Sequence, residues 1–393
     1  MRKIFADTTV QSVLASITSI LCGLLFGLMI MYIFNPSGAL PGFAILLQGG
    51  FADGVRGIGN VLYYSTPYML LGLAVAFSFQ TGVFNIGVSG QFTVGTFTAI
   101  MIATKCTFIP APLQWVVAVL AAGIMGMLWG AIPGLMKAYF RTNEVVSCIM
   151  ANYIAMYLVN QLTKEWSYDK SLVGTKYVQE TALMPKVGLD KLFPNSSINL
   201  GFFIAIAMCI LIYIILYKTT FGYELRACGF NREASHYCGI NEKRNVIAVM
   251  LIAGFIAGLA GGILHLSSIS KYYKIQEAFI KETNYAIPIA LLASSHPIGV
   301  IFSALFIAYI TIGGSLMQGQ GFPIETIDMI TAVIIYFAAF SLIIKQAIAR
   351  LAIRKSGTID NANAEPDSTQ PPTDLLPDQT EETAGAAKSD ERS

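Results

Sequence analysis

Residues 245–267 read NVIAVMLIAGFIAGLAGGILHLS, 23 consecutive positions without Asp, Glu, Lys or Arg. About 20 apolar residues in a helix cross the hydrocarbon of a bilayer, and a charge at the centre costs roughly 2.5 to 3.5 kcal/mol. A run of this length reads as a membrane span. Outward from it, comparable apolar runs, charge-free but for Asp328 and Lys345 near the two ends of the last, occupy residues 10–34, 57–79, 92–104, 113–136, 145–163, 199–217, 285–294, 298–314 and 327–346. With the first they make ten, two of them short. The predicted fold is all-α, a polytopic transmembrane helical bundle of about ten spans. Composition agrees: 12% of residues are charged, where a soluble domain has about a quarter, so a soluble fold is excluded and membrane lipid is the expected surrounding.

Lys and Arg in short loops stay on the cytoplasmic side. Arg2 and Lys3, Lys137 and Arg141, the basic residues from Lys218 to Arg244, and those from Lys345 to Lys355 all fall on one side of a ten-span thread. Both termini are then cytoplasmic. The loop 164–198 is mixed, its five lysines interleaved with Glu165, Asp169, Glu180 and Asp190. The expected organisation is a cytoplasmic N-terminus at 1–9, a transmembrane domain at 10–346 with a loop at 218–244, and a cytoplasmic tail at 347–393. From Ser356 the tail is acidic and poor in large apolar residues, a composition of disordered chain. The apolar stretch from Val10 to Phe34 exceeds the core of a cleaved signal peptide, and Leu21 before Cys22 is bulky for lipoprotein processing, so this stretch reads as the first helix.

Several chemistries find no support. A net charge of +2 suggests no nucleic-acid partner. The six cysteines lack CxxC spacing, and the three histidines lack metal-ligand spacing, so neither a disulfide framework nor a metal site is read. No GxxxxGK[ST], HExxH or GxSxG motif occurs, so catalytic residues and cofactors are both expected to be none, and energy must come from elsewhere. The spans hold almost no ionisable groups, with Glu144 and Glu325 at span ends read as solvated. A proton-coupled mechanism would need such groups inside, so a neutral polar solute fits better. A stand-alone carrier or channel, or an intramembrane enzyme, are the rival classes.

Two segments interrupt the apolar pattern. TGVFNIGVSGQFTVG at 81–95 carries glycines at 82, 87, 90 and 95 beside Asn85 and Gln91, and LLASSHPIGV lies at 291–300. Broken backbone at membrane depth needs protein or water around it, so 81–95 lies either inside the bundle or in a tight cytoplasmic turn. Candidate solute-pathway groups are Asn85, Gln91, Asn152 and Tyr153, with Asn143 and Asn160 also considered; asparagines at span ends also serve as helix caps. Rows of small residues four apart, Gly23 and Gly27, Gly126 to Gly134, and Gly254 to Gly262, each mark a helix face for close packing.

The segment GLAVAFSFQTGVFNIGVSGQFTVG at 72–95 resembles the NIG-x-x-GQ signature of permease subunits of bacterial ATP-binding cassette (ABC) importers, in the branch for nucleosides and simple sugars related to branched-chain amino acid permeases. NEVVSCIMANYIA at 143–155, TTFGYELRACGFNREASHYCGI at 219–240 and YAIPIALLASSHPIGVIFSALF at 285–306 resemble further blocks of that family, in the same order. Ser89 stands where many relatives carry an acidic residue, and Glu233-Ala234-Ser235 departs from a strict EAA motif. The resemblance implies a multi-pass permease of the bacterial plasma membrane importing nucleosides, or alternatively simple sugars such as ribose or galactose. It implies three partners: a cytoplasmic ATPase that binds the ATP, a second permease, related or identical, and an extracytoplasmic substrate-binding protein. It also implies that the loop 218–244 couples to the ATPase. Gly222, Glu224, Arg226, Gly229, Asn231, Arg232 and Glu233 are its candidate coupling residues. Of these, Arg226, Arg232 and Glu233 would make charged contacts and Gly229 would turn the chain.

Overall fold

The chain, seen in a computed structural model, is described over residues 8–340; the tail expected at 347–393 and most of the stretch 1–9 lie outside the described residues. Apart from the single turn Leu189–Leu192, the α-helices among the described residues are α1 (Thr8–Phe34), α2 (Pro36–Gln48), α3 (Gly54–Gln80), α4 (Val88–Lys105), α5 (Ala111–Phe140), α6 (Glu144–Trp166), α7 (Gly201–Lys218), α8 (Thr220–Phe230), α9 (Arg232–Tyr237), α10 (Glu242–His265), α11 (Ala286–Leu292), α12 (Pro297–Leu316) and α13 (Ile324–Ala339). Among the described residues seven are long and apolar enough to cross a membrane: α1, α3, α5, α6, α7, α10 and α12. The other three expected runs fall on α4, α11 and α13. Ser89, Gln91 and the threonines of α4 dilute its apolar character, and α11 has only seven residues because the chain turns back directly into α12. The helix α2 had no counterpart among the apolar runs. Asn35 caps it by accepting from Gly38 N–H at 3.1 Å, and Pro36 occupies its first position, where a missing N–H is harmless.

At the centre is α3, with 89% of its apolar window buried, flanked by α12, α10, α11 and α7. It continues through Pro67, which cannot donate to the preceding turn; just before it the hydroxyls of Ser65 and Thr66 both donate to Leu62 O, at 2.8 and 3.0 Å. Lipid gives helices no hydrophobic reason to associate, so their contact depends on close backbone approach. The glycine rows provide that approach within this chain. A Cβ on Gly254 would run into Gly126 O, one on Gly258 into Ala122 O, and one on Gly95 would stand 2.6 Å from Gly258 Cα. Gly23 and Gly27 likewise face Ile334 and Ile330 of α13.

The loop between α6 and α7 is folded. Tyr168–Asp169 and Gly174–Thr175 pair antiparallel, with Tyr168 opposite Thr175. Thr175 N–H donates to Tyr273 O at 2.9 Å, Val178 N–H to Lys271 O at 2.8 Å and Met184 N–H to Leu266 O at 2.9 Å. The segment after α10 is thereby laced to this loop.

Adding a methyl where backbone already touches forces helices apart, at about 1–3 kcal/mol. Gly258→Ala should therefore lower the thermal midpoint of the purified protein clearly, while Gly319→Ala, whose added Cβ meets nothing within 4 Å, should leave it near wild type.

Candidate functional site

The residues of NIG-x-x-GQ form the turn between α3 and α4. Gly82 takes a left-handed φ of 71°, the chain runs irregularly to Gly87, and α4 begins at Val88. Peptide groups here lack helix partners, and side-chain amides replace them. Asn85 Oδ1 accepts from Gly87 N–H at 2.9 Å, and the amides of Asn85 and Gln91 face each other at 3.4 and 3.5 Å. From α6, Asn152 Oδ1 accepts from Gly90 N–H at 2.8 Å while its Nδ2 donates to Ile86 O at 3.0 Å. Gly90 has no room for a side chain, since a Cβ would lie 2.9 Å from Asn152 Oδ1 and 3.1 Å from Trp129 Nε1. Ser89 Oγ donates to Thr283 Oγ1 at 2.8 Å, tying the turn to the segment before α11.

Asn85, Gln91 and Asn152 are thus brought together, fully buried, and engaged with the interrupted backbone rather than open to a solute. Tyr153 is separate. It is 43% exposed on the open face of α6, near Met150, Ile154 and Tyr157, and its ring pairs with Phe279 at 5.0 Å between centroids. Asn143 and Asn160 act as fasteners: Asn143 Oδ1 caps α6 through Val145 N–H at 2.9 Å, and Asn160 Nδ2 donates to Gln276 O at 2.8 Å while its Oδ1 accepts from Tyr273 OH at 3.0 Å. Glu144, read from sequence as solvated, instead forms an ion pair with Lys137, each largely shielded from solvent.

The second constellation is α8 with α9. Thr219 Oγ1 caps α8 by accepting from Gly222 N–H at 3.1 Å. Gly222 lets α8 fold back on α7, as a Cβ there would strike Ile215 O. Gly229 does not turn the chain. It lies inside α8 without a positive φ, and allows α8 to touch the turn after α3, where a Cβ on Gly82 would sit 2.6 Å from Gly229 Cα. Asn231 caps α9 through Ala234 N–H at 3.0 Å. Glu233 is exposed and Glu224 half-buried. Arg232 opens α9. Arg226 is also half-buried, its guanidinium 4.7 Å from the centre of the Tyr217 ring.

Sequence reasoning passed over the aromatics of this region. Phe230 is 86% and Tyr223 66% exposed on α8, beside the candidate charges. Large exposed aromatics next to charged groups are the usual anchors of a protein contact. Their placement on a short amphipathic helix after a basic span end was the available signal.

Residues 57–339 match the family described as the branched-chain amino acid transport system / permease component. The chain is 36% identical over 339 residues to the guanosine ABC transporter permease protein NupP of Bacillus subtilis, covering 86% of this chain and 96% of that one. It is 33% identical over 342 residues to the nucleoside ABC transporter permease protein NupB of Lactococcus lactis, covering 85% and 93%. The glucose ABC transporter permease protein TsgB13 of Haloferax volcanii is 27% identical over 317 residues, covering 78% and 82%. No solved structure matches the chain.

Each buried backbone group left unpaired costs about 1–3 kcal/mol. Asn152→Leu should thus destabilise the purified protein markedly in a thermal melt, whereas Tyr153→Leu, one residue along on an open face, should shift the midpoint little.

Proposed function

The chain belongs to the permease family of the branched-chain amino acid transport systems, and from that premise we propose that it is the membrane-spanning subunit of an ATP-driven importer of nucleosides. The observation that carries the solute assignment is its likeness, nearly end to end, to two permeases named for guanosine and for nucleosides. It is a multi-pass protein of the bacterial plasma membrane and not itself an enzyme. ABC importer permeases work with an ATPase and with a substrate-binding protein. On this reading ATP is held by the separate ATPase subunit, and the permease pairs with a second, related or identical permease.

The finer arrangement rests on the features above. Residues 10–346 form the permease domain, threading the bilayer about ten times with both ends in the cytoplasm. The basic loops on one side of that thread support this orientation. The loop 218–244 is cytoplasmic and α8 is the helix that meets the ATPase, with Tyr223 and Phe230 as apolar anchors, Glu224, Arg226, Arg232 and Glu233 as charged groups, and Asn231 as a cap. Gly222 and Gly229 keep α8 seated on α7 and on the α3–α4 turn. Nucleotide-driven closure would tilt α8 and, through these contacts, rock the bundle. Asn85, Gln91 and Asn152 hold the interrupted turn rigid next to the pathway. The open face of α6, where the Tyr153 ring lies tilted against Phe279, borders the pathway itself. Aromatic faces suit a nucleobase, because every base presents a π-surface.

Deleting this permease should abolish uptake of labelled guanosine and leave glucose uptake unchanged. Glucose loss with intact nucleoside uptake would transfer the assignment to the sugar branch, for which TsgB13 is the precedent. For docking, Tyr223→Ala combined with Phe230→Ala should weaken co-purification of the ATPase by about tenfold or more, in line with aromatic anchors elsewhere. Retained co-purification would remove α8 from that role.

A further inference from the structure

The docking helix α8 packs on α7, α10 and the end of α3, whereas the α11–α12 turn lies about seventy residues further along the chain. A single file of side chains connects them. The Arg226 guanidinium lies 4.7 Å from the centre of the Tyr217 ring, and its Nε, buried, finds no hydrogen-bond acceptor among the described residues. Stacking on the ring is therefore this group's specific contact. Tyr217 sits in the last turn of α7 and Tyr213 one turn earlier, on the same face, with centroids 5.2 Å apart. Both meet His296, at 5.5 Å and 34° for Tyr217 and at 5.7 Å and 54° for Tyr213.

His296 is the residue from which α12 starts, and it closes the α11–α12 turn by donating its N–H to Ala293 O at 3.0 Å. That turn is held in an unfavourable form. Ser294 and Ser295 both take left-handed backbone angles, φ 50° and 57°, which residues bearing a Cβ rarely adopt, and Ser295 N–H reaches Ala290 O at 2.7 Å. On the far side of α11, Tyr285, Pro288 and Leu291 line a groove of about 540 Å³ shared with Ile335 and Tyr336 of α13. Backbone held in such angles clusters at switch regions, where bistable elements convert small displacements into larger ones.

We infer that Arg226, Tyr217 and His296 are positioning residues that convey the displacement of α8 to the α11–α12 turn, so that nucleotide-driven movement at the docking helix re-aims α11 along its groove. This rests on the reading of α8 as the ATPase-docking helix. Neither Tyr217 nor His296 needs to touch solute or ATPase. Their part is to make the two movements one.

The test uses the complete transporter, with its ATPase, partner permease and binding protein, reconstituted in proteoliposomes, and reads guanosine imported per ATP hydrolysed. Tyr217→Ala and His296→Ala should each keep ATPase binding and hydrolysis but lower the ratio about tenfold, the size of an ordinary coupling between sites. Tyr217→Phe, which keeps the ring, should restore it, and the double alanine variant should be no worse than the worse single one, as for members of one file. Tyr217→Leu guards against a folding defect, since it fills the space without a π-face; with a wild-type melt it should still uncouple. A wild-type ratio in well-folded Tyr217→Leu and His296→Ala would overturn the inference while leaving the docking reading intact. Retained ATPase binding in the Tyr223→Ala, Phe230→Ala variant would instead remove the docking reading, and the inference with it.

Discussion

A peptide group that has lost its helix partner cannot face hydrocarbon, and the structure is arranged around the places where this chain breaks that constraint. The turn between α3 and α4 leaves Ile86 O and Gly90 N–H without helical partners, and Asn152 supplies both bonds from α6. Asn85 and Gln91 complete the set beneath it. Once these amides are committed, the positions of α3, α4 and α6 relative to one another follow, since only one placement brings donor and acceptor into register. Ser89 and Thr283 extend the same logic to the approach to α11.

Elsewhere cohesion comes from the absence of side chains. The α5–α10 seam runs glycine against backbone over Gly126, Gly254 and Gly258, and the seam leaves no slack for sliding. The α8 contact with the α3–α4 turn has the same character, glycine on glycine, but at the margin of the bundle where one partner is a single short helix. The interior keeps the amide cluster in register, while α8 meets the bundle through a few close backbone approaches.

Much of this was legible in the residues, and the gaps have identifiable causes. Long charge-free runs located α1, α3, α5, α6, α7, α10 and α12, because length and apolarity are properties of the chain itself. The run at 285–294 marked α11, although its seven helical residues and its strained exit at Ser294 and Ser295 depend on tertiary neighbours. The helix α2 was invisible since Gly38, Pro41 and Gly42 break its apolar pattern. Asn85, Gln91 and Asn152 stood out as polar residues in apolar surroundings, yet polarity does not say whether an amide faces a solute or a stranded carbonyl. Gly229 illustrates the same limit: a missing Cβ serves a turn and a close approach equally well. Tyr223 and Phe230 were passed over because exposure belongs to the folded chain, and a Tyr or Phe in sequence reads first as core.

The lacing of the loop after α6 to the segment after α10 bears on how the protein is made. Thr175 cannot find its partner at Tyr273 until nearly a hundred further residues, including α7 through α10, have left the ribosome. Through that interval the hairpin strands stay unpaired with their later neighbour, and this loop gains its last backbone bonds only once the segment after α10 is in place. Truncation before Tyr273 would leave Thr175 N–H without its acceptor, while the bonds to Leu266 O and Lys271 O would still be available.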